Sequence, residues 1–228
     1  MGKVFFSVTM SLDGFIAPEF MEVGRPVDQW LGEWMELQKY VFEQRFFREN
    51  LKLGDGGETG QDNRILEETY NRTGVSIMGK RMFDGGEISW PEEAPFHTPV
   101  FVLTKAVRSP WERPGATTFH FVNDGIESAL RQAREVAGGK DIRIAGGAHV
   151  IVQYLNAGLV DEFSIAVSPV LFGAGVRLFD GVDRRRVLLD IVEALNSPLV
   201  THLTYAVRRR ELVEGAITNS EVGRGPGI

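Results

Sequence analysis

The chain has 228 residues, a net charge of −6, a pI near 5.3, and 43% hydrophobic and 25% charged side chains. That is the composition of a globular protein able to bury a sizeable core in one domain. The acidic balance argues against nucleic acid or an anionic membrane as the main partner, and the absence of cysteine excludes disulfides, a thiolate nucleophile and cysteine metal sites.

Lys3 to Met10 reads as a buried strand, and Ser11 to Pro18 as a turn and loop with Asp13-Gly14 as the turn signal. Loops seldom carry apolar residues, so Phe15 and Ile16 are expected to line something. Val27, Trp30, Leu31, Trp34, Leu37, Val41 and Phe42 recur at helical spacing, with Asp28 in the first turn. Leu53 to Gly60 is glycine-rich and reads as a mobile or tightly turning loop. Asp62 looks like the N-cap of a helix through Ile65, Leu66, Thr69 and Tyr70, which Gly74 ends.

Val75 to Met78 is a short buried strand that runs into Gly79, Lys80, Arg81, Met82 and Phe83. Glycine lets a ligand approach the backbone, the following amides can point at an anion, and the cations neutralise it. The same pattern also serves as a plain solvated strand end. Val100 to Thr104 and Thr117 to Val122 are further strands. Asp124 and Glu127 resemble a capping box for a helix striped by Ile126, Leu130, Ala133 and Val136, which Gly138-Gly139 stops.

Asp141 to Ala145 is a strand that ends in a second glycine turn, Ala145-Gly146-Gly147-Ala148, before a helix lined by Val150, Ile151, Tyr154 and Leu155. Gly173-Ala174-Gly175 reads as a hairpin turn. Val160 to Val170 and Leu199 to Val207 are long closing strands, and residues 213–228 a flexible tail. His97, His120, His149 and His202 show no metal-ligand spacing, so no metal is expected and each reads as structural or exposed. No secretory leader or membrane span is visible, so the cytoplasm is the expected location. Alternating strands and helices imply an α/β fold, a mostly parallel sheet with helices on both faces and an antiparallel C-terminal edge. In such sheets ligands collect at the carboxyl ends of strands, where Gly79, Thr104 and Gly146 fall.

Taken together, Val8-Thr9-Met10-Ser11-Leu12-Asp13-Gly14-Phe15-Ile16-Ala17, Ile77-Met78-Gly79-Lys80-Arg81-Met82-Phe83, Val102-Leu103-Thr104-Lys105, Ile144-Ala145-Gly146-Gly147-Ala148 and Leu159-Val160-Asp161-Glu162 form an ordered set from about residue 3 to residue 207. The set resembles the dihydrofolate reductase superfamily, in particular the reductase domain of the riboflavin-biosynthesis deaminase–reductase. The resemblance implies a three-layer dihydrofolate reductase-like domain over residues 1–212, with an insertion at about 20–60. It also implies NADPH as cofactor, a small-molecule substrate and a homodimer.

By position, the resemblance places Thr9, Ile16 and Ala17 beside the nicotinamide, and Gly79, Lys80, Arg81 and Met82 along the pyrophosphate and adenosine. Leu103, Thr104 and Lys105 would flank the adenine and its 2′-phosphate. Gly146, Gly147, Ala148 and His149 would close over the pyrophosphate. The cations Lys80, Arg81 and Lys105 favour NADPH over NADH. Asp62, on the helix before the glycine–cation strand, would meet the substrate as the catalytic acid, with Asp28 the competing carboxylate. The implied reaction is hydride transfer to a C=N or C=O bond of a heterocycle, a ribosylaminopyrimidine or alternatively a pterin or folate. A binding protein that kept the nucleotide site without chemistry is the reading from another class. The zinc-binding deaminase residues of the riboflavin enzyme have no counterpart here.

Overall fold

Val4–Ser11 (β1) alternates its side chains between two faces of a sheet, and that alternation organises the molecule. A computed structural model describes residues 2–18 and 27–209. After β1 come Phe15–Ala17 (β2), Val27–Leu37 (α1), Lys39–Phe42 (α2), Arg45–Asn50 (α3), Gln61–Arg72 (α4), Thr73–Gly79 (β3) and Lys80–Ser89 (α5). The middle holds Val100–Leu103 (β4), Trp111–Arg113 (β5), Thr117–Val122 (β6), Ile126–Val136 (α6), Asp141–Gly146 (β7) and Ala148–Asn156 (α7). Glu162–Ser168 (β8), Val176–Arg177 (β9), Val187–Asn196 (β10) and Thr201–Arg209 (β11) complete the described chain.

Nine strands form one sheet in the order β10-β11-β8-β1-β7-β3-β4-β6-β5, and β2 pairs separately with β9. The six central strands, β8 to β6, are parallel. β11 and β10 add an antiparallel edge, and β5 closes the other edge antiparallel to β6. The parallel sheet with an antiparallel C-terminal edge is the one expected.

One face is mainly apolar, with His120 of β6 stacked on Phe101 at its edge. Phe6, Ile77, Ile144 and Phe163 meet Leu130 of α6 and Ile151, Tyr154 and Leu155 of α7. The opposite face has two unlike halves. Around β3, β4 and β6 it is aromatic: fully buried Phe83 of α5 meets Trp90, Trp111, Phe119 and Phe121 edge-on. Truncating Phe83 to alanine would cost about 3–5 kcal/mol. Around β1, β8 and β11 this face is small and polar, because register aligns Ser7 with Ser164 and Thr204, Thr9 with Ala166 and His202, and Ser11 with Ser168. Tyr40 and Val41 of α2 pack over this half against Ala166 and Val200.

Several local readings need correction. Gly60, not Asp62, is the N-cap of α4; Asp62 lies inside the first turn. Gly74 belongs to β3 instead of ending the helix. Gly125 caps α6 without a side-chain bond, so Asp124 and Glu127 form no capping box. The periodic run from Val27 is broken at Gln38 into α1 and α2. Phe15 and Ile16 are strand residues. Gly173 to Gly175 forms no hairpin, since β9 pairs with β2 and not with β8. β5 and β10 were not expected at all. The expected tail, 213–228, lies outside the described residues.

Candidate active site

β1 and β7 pair only through Val4 and Phe5, whereas β1 and β8 stay paired from Phe5 to Ser11. Beyond Phe5 the two central strands no longer hydrogen-bond, and the Arg143 guanidinium donates to the Ser7 carbonyl at 3.3 Å instead. This opens the sheet at the carboxyl ends of its strands, the position where open α/β sheets take ligands.

One wall of the opening is glycine. Gly79 and Gly147 are the N-caps of α5 and α7, and neither helix start receives a side-chain cap. The two turns touch: a Cβ on Gly79 would lie 3.8 Å from Gly147 N and 3.9 Å from Gly146 O, and one on Gly146 would lie 3.3 Å from Met82 Sδ. The Gly146–Gly147 peptide is cis. Apart from Gly147 and its two chain neighbours, nothing lies within 4 Å of the point where a Gly147 Cβ would sit. Two helix N-termini whose first amides no side chain claims, beside an open glycine edge, fit an anionic group.

Leu103 pairs with Gly79 across β3 and β4, which brings the third strand end to the same edge. Thr104 donates its amide to Val122 O at 3.0 Å, and its hydroxyl accepts from Ala106 N at 3.1 Å. Arg81 and Lys105 are exposed. Lys80 is held by Asp84 one turn along α5, so it is less available to a ligand than the sequence implied. Ala148 is buried, and His149 is exposed with its Nδ1 2.9 Å from Gln153 Nε2.

The other wall is the polar half of the sheet. Thr9 Oγ1 donates to Gln38 Oε1 at 2.7 Å, at the break between α1 and α2. Asp62, 6% exposed, meets His202 Nε2 at 2.7 Å through Oδ1, and His202 is 5% exposed. Tyr40 stands edge-on to His202 with ring centroids 5.8 Å apart. Burial pushes the Tyr40 phenol up to about 12, against the pull of the Thr9 hydroxyl. Ile16 packs on the apolar core and Ala17 is buried in β2, a short turn beyond β1.

The structure therefore gathers Gly79, Met82, Leu103, Gly146 and Gly147 at one edge, while Thr9 lies on β1 and Asp62 sits over β11, with β8 between them. Sequence reasoning missed Gln38, Tyr40 and His202. The available signal for His202 was the alternation of β11, which puts His202 and Thr204 on one face of a strand that must be half buried. Asp28 falls in the first turn of α1 as expected.

A family model described as the RibD C-terminal domain matches residues 2–203. Uncharacterized protein YyaP of Bacillus subtilis (strain 168) is 34% identical over 86 residues, which is 38% of this chain and 40% of that protein. Uncharacterized protein YwjB of the same organism is 25% identical over 177 residues, 78% of this chain and 82% of that protein. A solved structure from Shewanella sp. PV-4, assigned to riboflavin biosynthesis, aligns with a TM-score of 0.60 at 21% identity over 92% of this chain and all of that one (100%). The diaminohydroxyphosphoribosylaminopyrimidine deaminase/5-amino-6-(5-phosphoribosylamino)uracil reductase of Thermotoga maritima aligns with a TM-score of 0.53 at 16% identity, over 90% of this chain and 56% of that one. These structural likenesses establish a shared α/β fold, and the matched segments span less than two thirds of YyaP and of the Thermotoga enzyme. With residues 2–203 matched, the chain belongs to the RibD C-terminal domain family.

Proposed function

We propose that this protein is an NADPH-dependent reductase. It adds a hydride and a proton across a C=N or C=O bond of a small heterocycle, of the 5-amino-6-(5-phosphoribosylamino)uracil type. The observation that carries this reading is the opening between β1 and β7 beside the touching glycine turns. Membership of the reductase family supports it.

Bound NADPH would supply the hydride. The chain's part is to bind, orient and protonate. Gly79, Gly146 and Gly147 keep the backbone open to a pyrophosphate, and the starts of α5 and α7 offer amides to it. Arg81 and Lys105 supply exposed positive charge for a 2′-phosphate. Leu103 and Thr104 flank the adenine side, and Ala148 and His149 begin the helix over the phosphates. Thr9, Ile16 and Ala17 border the nicotinamide, and Asp62 serves the proton. Holding donor and acceptor carbons roughly 3–3.5 Å apart supplies about 7–11 kcal/mol of the barrier.

The test is titration with NADPH and NADH, followed by tryptophan fluorescence and calorimetry, and then NADPH oxidation with the pyrimidine and with dihydrofolate. Tight NADPH binding, weaker NADH binding and turnover of the pyrimidine are expected. Failure to bind either nucleotide would overturn the reading. Binding without turnover across a broad panel would instead favour a nucleotide-binding protein without chemistry.

A further inference from the structure

Asp62 and His202 come from elements 140 residues apart, yet they meet at 2.7 Å with both side chains more than nine-tenths buried. A buried carboxylate is stable only when its charge is paired or hydrogen-bonded. The lateral row explains how the pair is held. His202 of β11 lies beside Ala166 of β8, which lies beside Thr9 of β1. Ala166 leaves room above the sheet, Tyr40 of α2 fills it edge-on to the imidazole, and α4 lowers Asp62 onto His202 from its first turn. On the other side of His202 the partner in β10 is Leu195. The remaining titratable or charged groups around this cluster are the Tyr40 phenol and, acting on Tyr40 together with Asp62, Arg143 and Tyr70.

Oδ1 can accept from His202 Nε2–H both in the carboxylate and in the acid that carries its proton on Oδ2. Among the described residues, Oδ2 has no hydrogen-bond partner. We propose that His202 is a positioning residue for Asp62: it holds Oδ1 through Nε2–H and so reserves Oδ2 as the oxygen that passes a proton to the bond being reduced. This inference rests on the reductase reading above and adds a residue to it. In the proton step, the O–H bond at Oδ2 breaks and a new N–H or O–H bond forms on the substrate. The electron pair of that O–H bond stays on Asp62, and the resulting carboxylate keeps its bond from His202 Nε2–H. Water then reprotonates Oδ2. The carbon end of the reduced bond takes the hydride, so the substrate gains one hydride and one proton, and Asp62 is unchanged after each turnover.

Two measurements test this. The first needs no activity: nitrogen-15 and proton NMR of the histidine side chains. The expected result is a protected Nε2–H for His202 that is lost in Asp62→Ala. An Nδ1–H tautomer, or a signal unchanged in Asp62→Ala, would overturn the proposal. The second is steady-state kinetics of His202→Leu, His202→Gln and Asp62→Asn, with NADPH affinity measured on the same samples. His202→Leu is expected to lose roughly tenfold or more in kcat with NADPH affinity unchanged. His202→Gln, which keeps an N–H near the same place, should recover part of the loss, and Asp62→Asn should lose about 10²-fold in kcat. Wild-type kcat in His202→Leu, or equal loss of kcat and NADPH affinity in His202→Leu and His202→Gln, would reduce His202 to a structural role. Failure of the reductase reading looks different: wild-type protein would bind no NADPH or turn over nothing, while NMR would still report whether His202 holds Asp62.

Discussion

Gly79 and Val150 are in contact: a Cβ added to Gly79 would lie 2.9 Å from Cγ2 of Val150. The backbone of Gly79, at φ −85 and ψ 154, is one that any residue adopts. Glycine is needed there for space alone. Val150 is 5% exposed and stiff at χ1, so it cannot swing away cheaply. Gly79→Ala should push the β3–α5 turn off the start of α7 and weaken NADPH binding about tenfold, with the fold intact. Shortening the neighbour as well, in Gly79→Ala/Val150→Ala, should restore most of the affinity. Calorimetric titration of both variants checks this, and full affinity in the single variant would remove the turn from the site.

Asp13 ties two loops together. Its carboxylate accepts from Ser11 Oγ at 2.6 Å, Gly173 N at 2.7 Å and Phe172 N at 3.2 Å. Arg177 donates to its carbonyl at 3.3 Å and lies 4.5 Å over the Phe15 ring. The Ser11 hydroxyl, aided by the two amides and opposed by burial, holds the Asp13 carboxyl below its ordinary range. A depressed carboxyl contributes stability above its unfolded pKa and loses it as pH falls through the lower, folded one. Hydrogen-exchange protection of residues 170–177 should therefore be present at neutral pH and fall below the ordinary aspartate range. Asp13→Ala should lower it at neutral pH and flatten the dependence. Equal protection in variant and wild type would show that the loops hold without the clamp.

The central sheet was readable because β1, β3, β4, β6 and β7 are runs of β-branched and aromatic residues ended by glycine or turn residues. β10 was not, because Leu189, Ile191, Val192 and Glu193 are all exposed and neither face imposes a period of two. β5 is three residues between two prolines, too short for any pattern. The glycine wall was readable since glycine at a strand end has a local cause. The polar wall was not. Asp62 reads in sequence as a helix N-cap, yet it lies in the first turn and meets a residue 140 positions away, and only the register of β1, β8 and β11 brings Thr9, Ala166 and His202 into one row.

At the opposite end of the sheet, Arg72 binds Asp141 and Glu162 at 2.6 Å each and lies 4.2 Å over the Phe5 ring. Burial raises the Glu162 carboxyl, but the hydrogen bonds from Lys3 and Arg72 outweigh it and the group sits below its ordinary range. Its contribution is thus present at neutral pH and lost as pH falls through the folded value. Arg72→Met would leave two carboxylates facing each other. The side chain is 34% exposed, so the cost should be about 2–3 kcal/mol, below that of a fully buried pair. Calorimetry at neutral pH should show Tm lower by about 5–10 °C, with the gap to wild type narrowing in acid. No change in Tm would mean solvent already screens the pair.

The last strand edge bears on assembly. Among the described residues β10 pairs only with β11, and Leu189, Ile191 and Val192 are 46%, 76% and 61% exposed. An unpaired apolar edge invites another strand. A register shift between Ile191 and Glu193, and the Asp190–Arg208 pair beside it, interrupt the edge without covering Ile191. We propose that a second copy of this chain covers it. Sedimentation of the wild type at micromolar concentration should then show a dimer. Ile191→Lys should sediment as a monomer with an unchanged circular dichroism spectrum, since Ile191 packs in no core cluster. A wild type that stays monomeric up to high concentration would show that the bulge and the ion pair alone protect this edge, and the homodimer would fall.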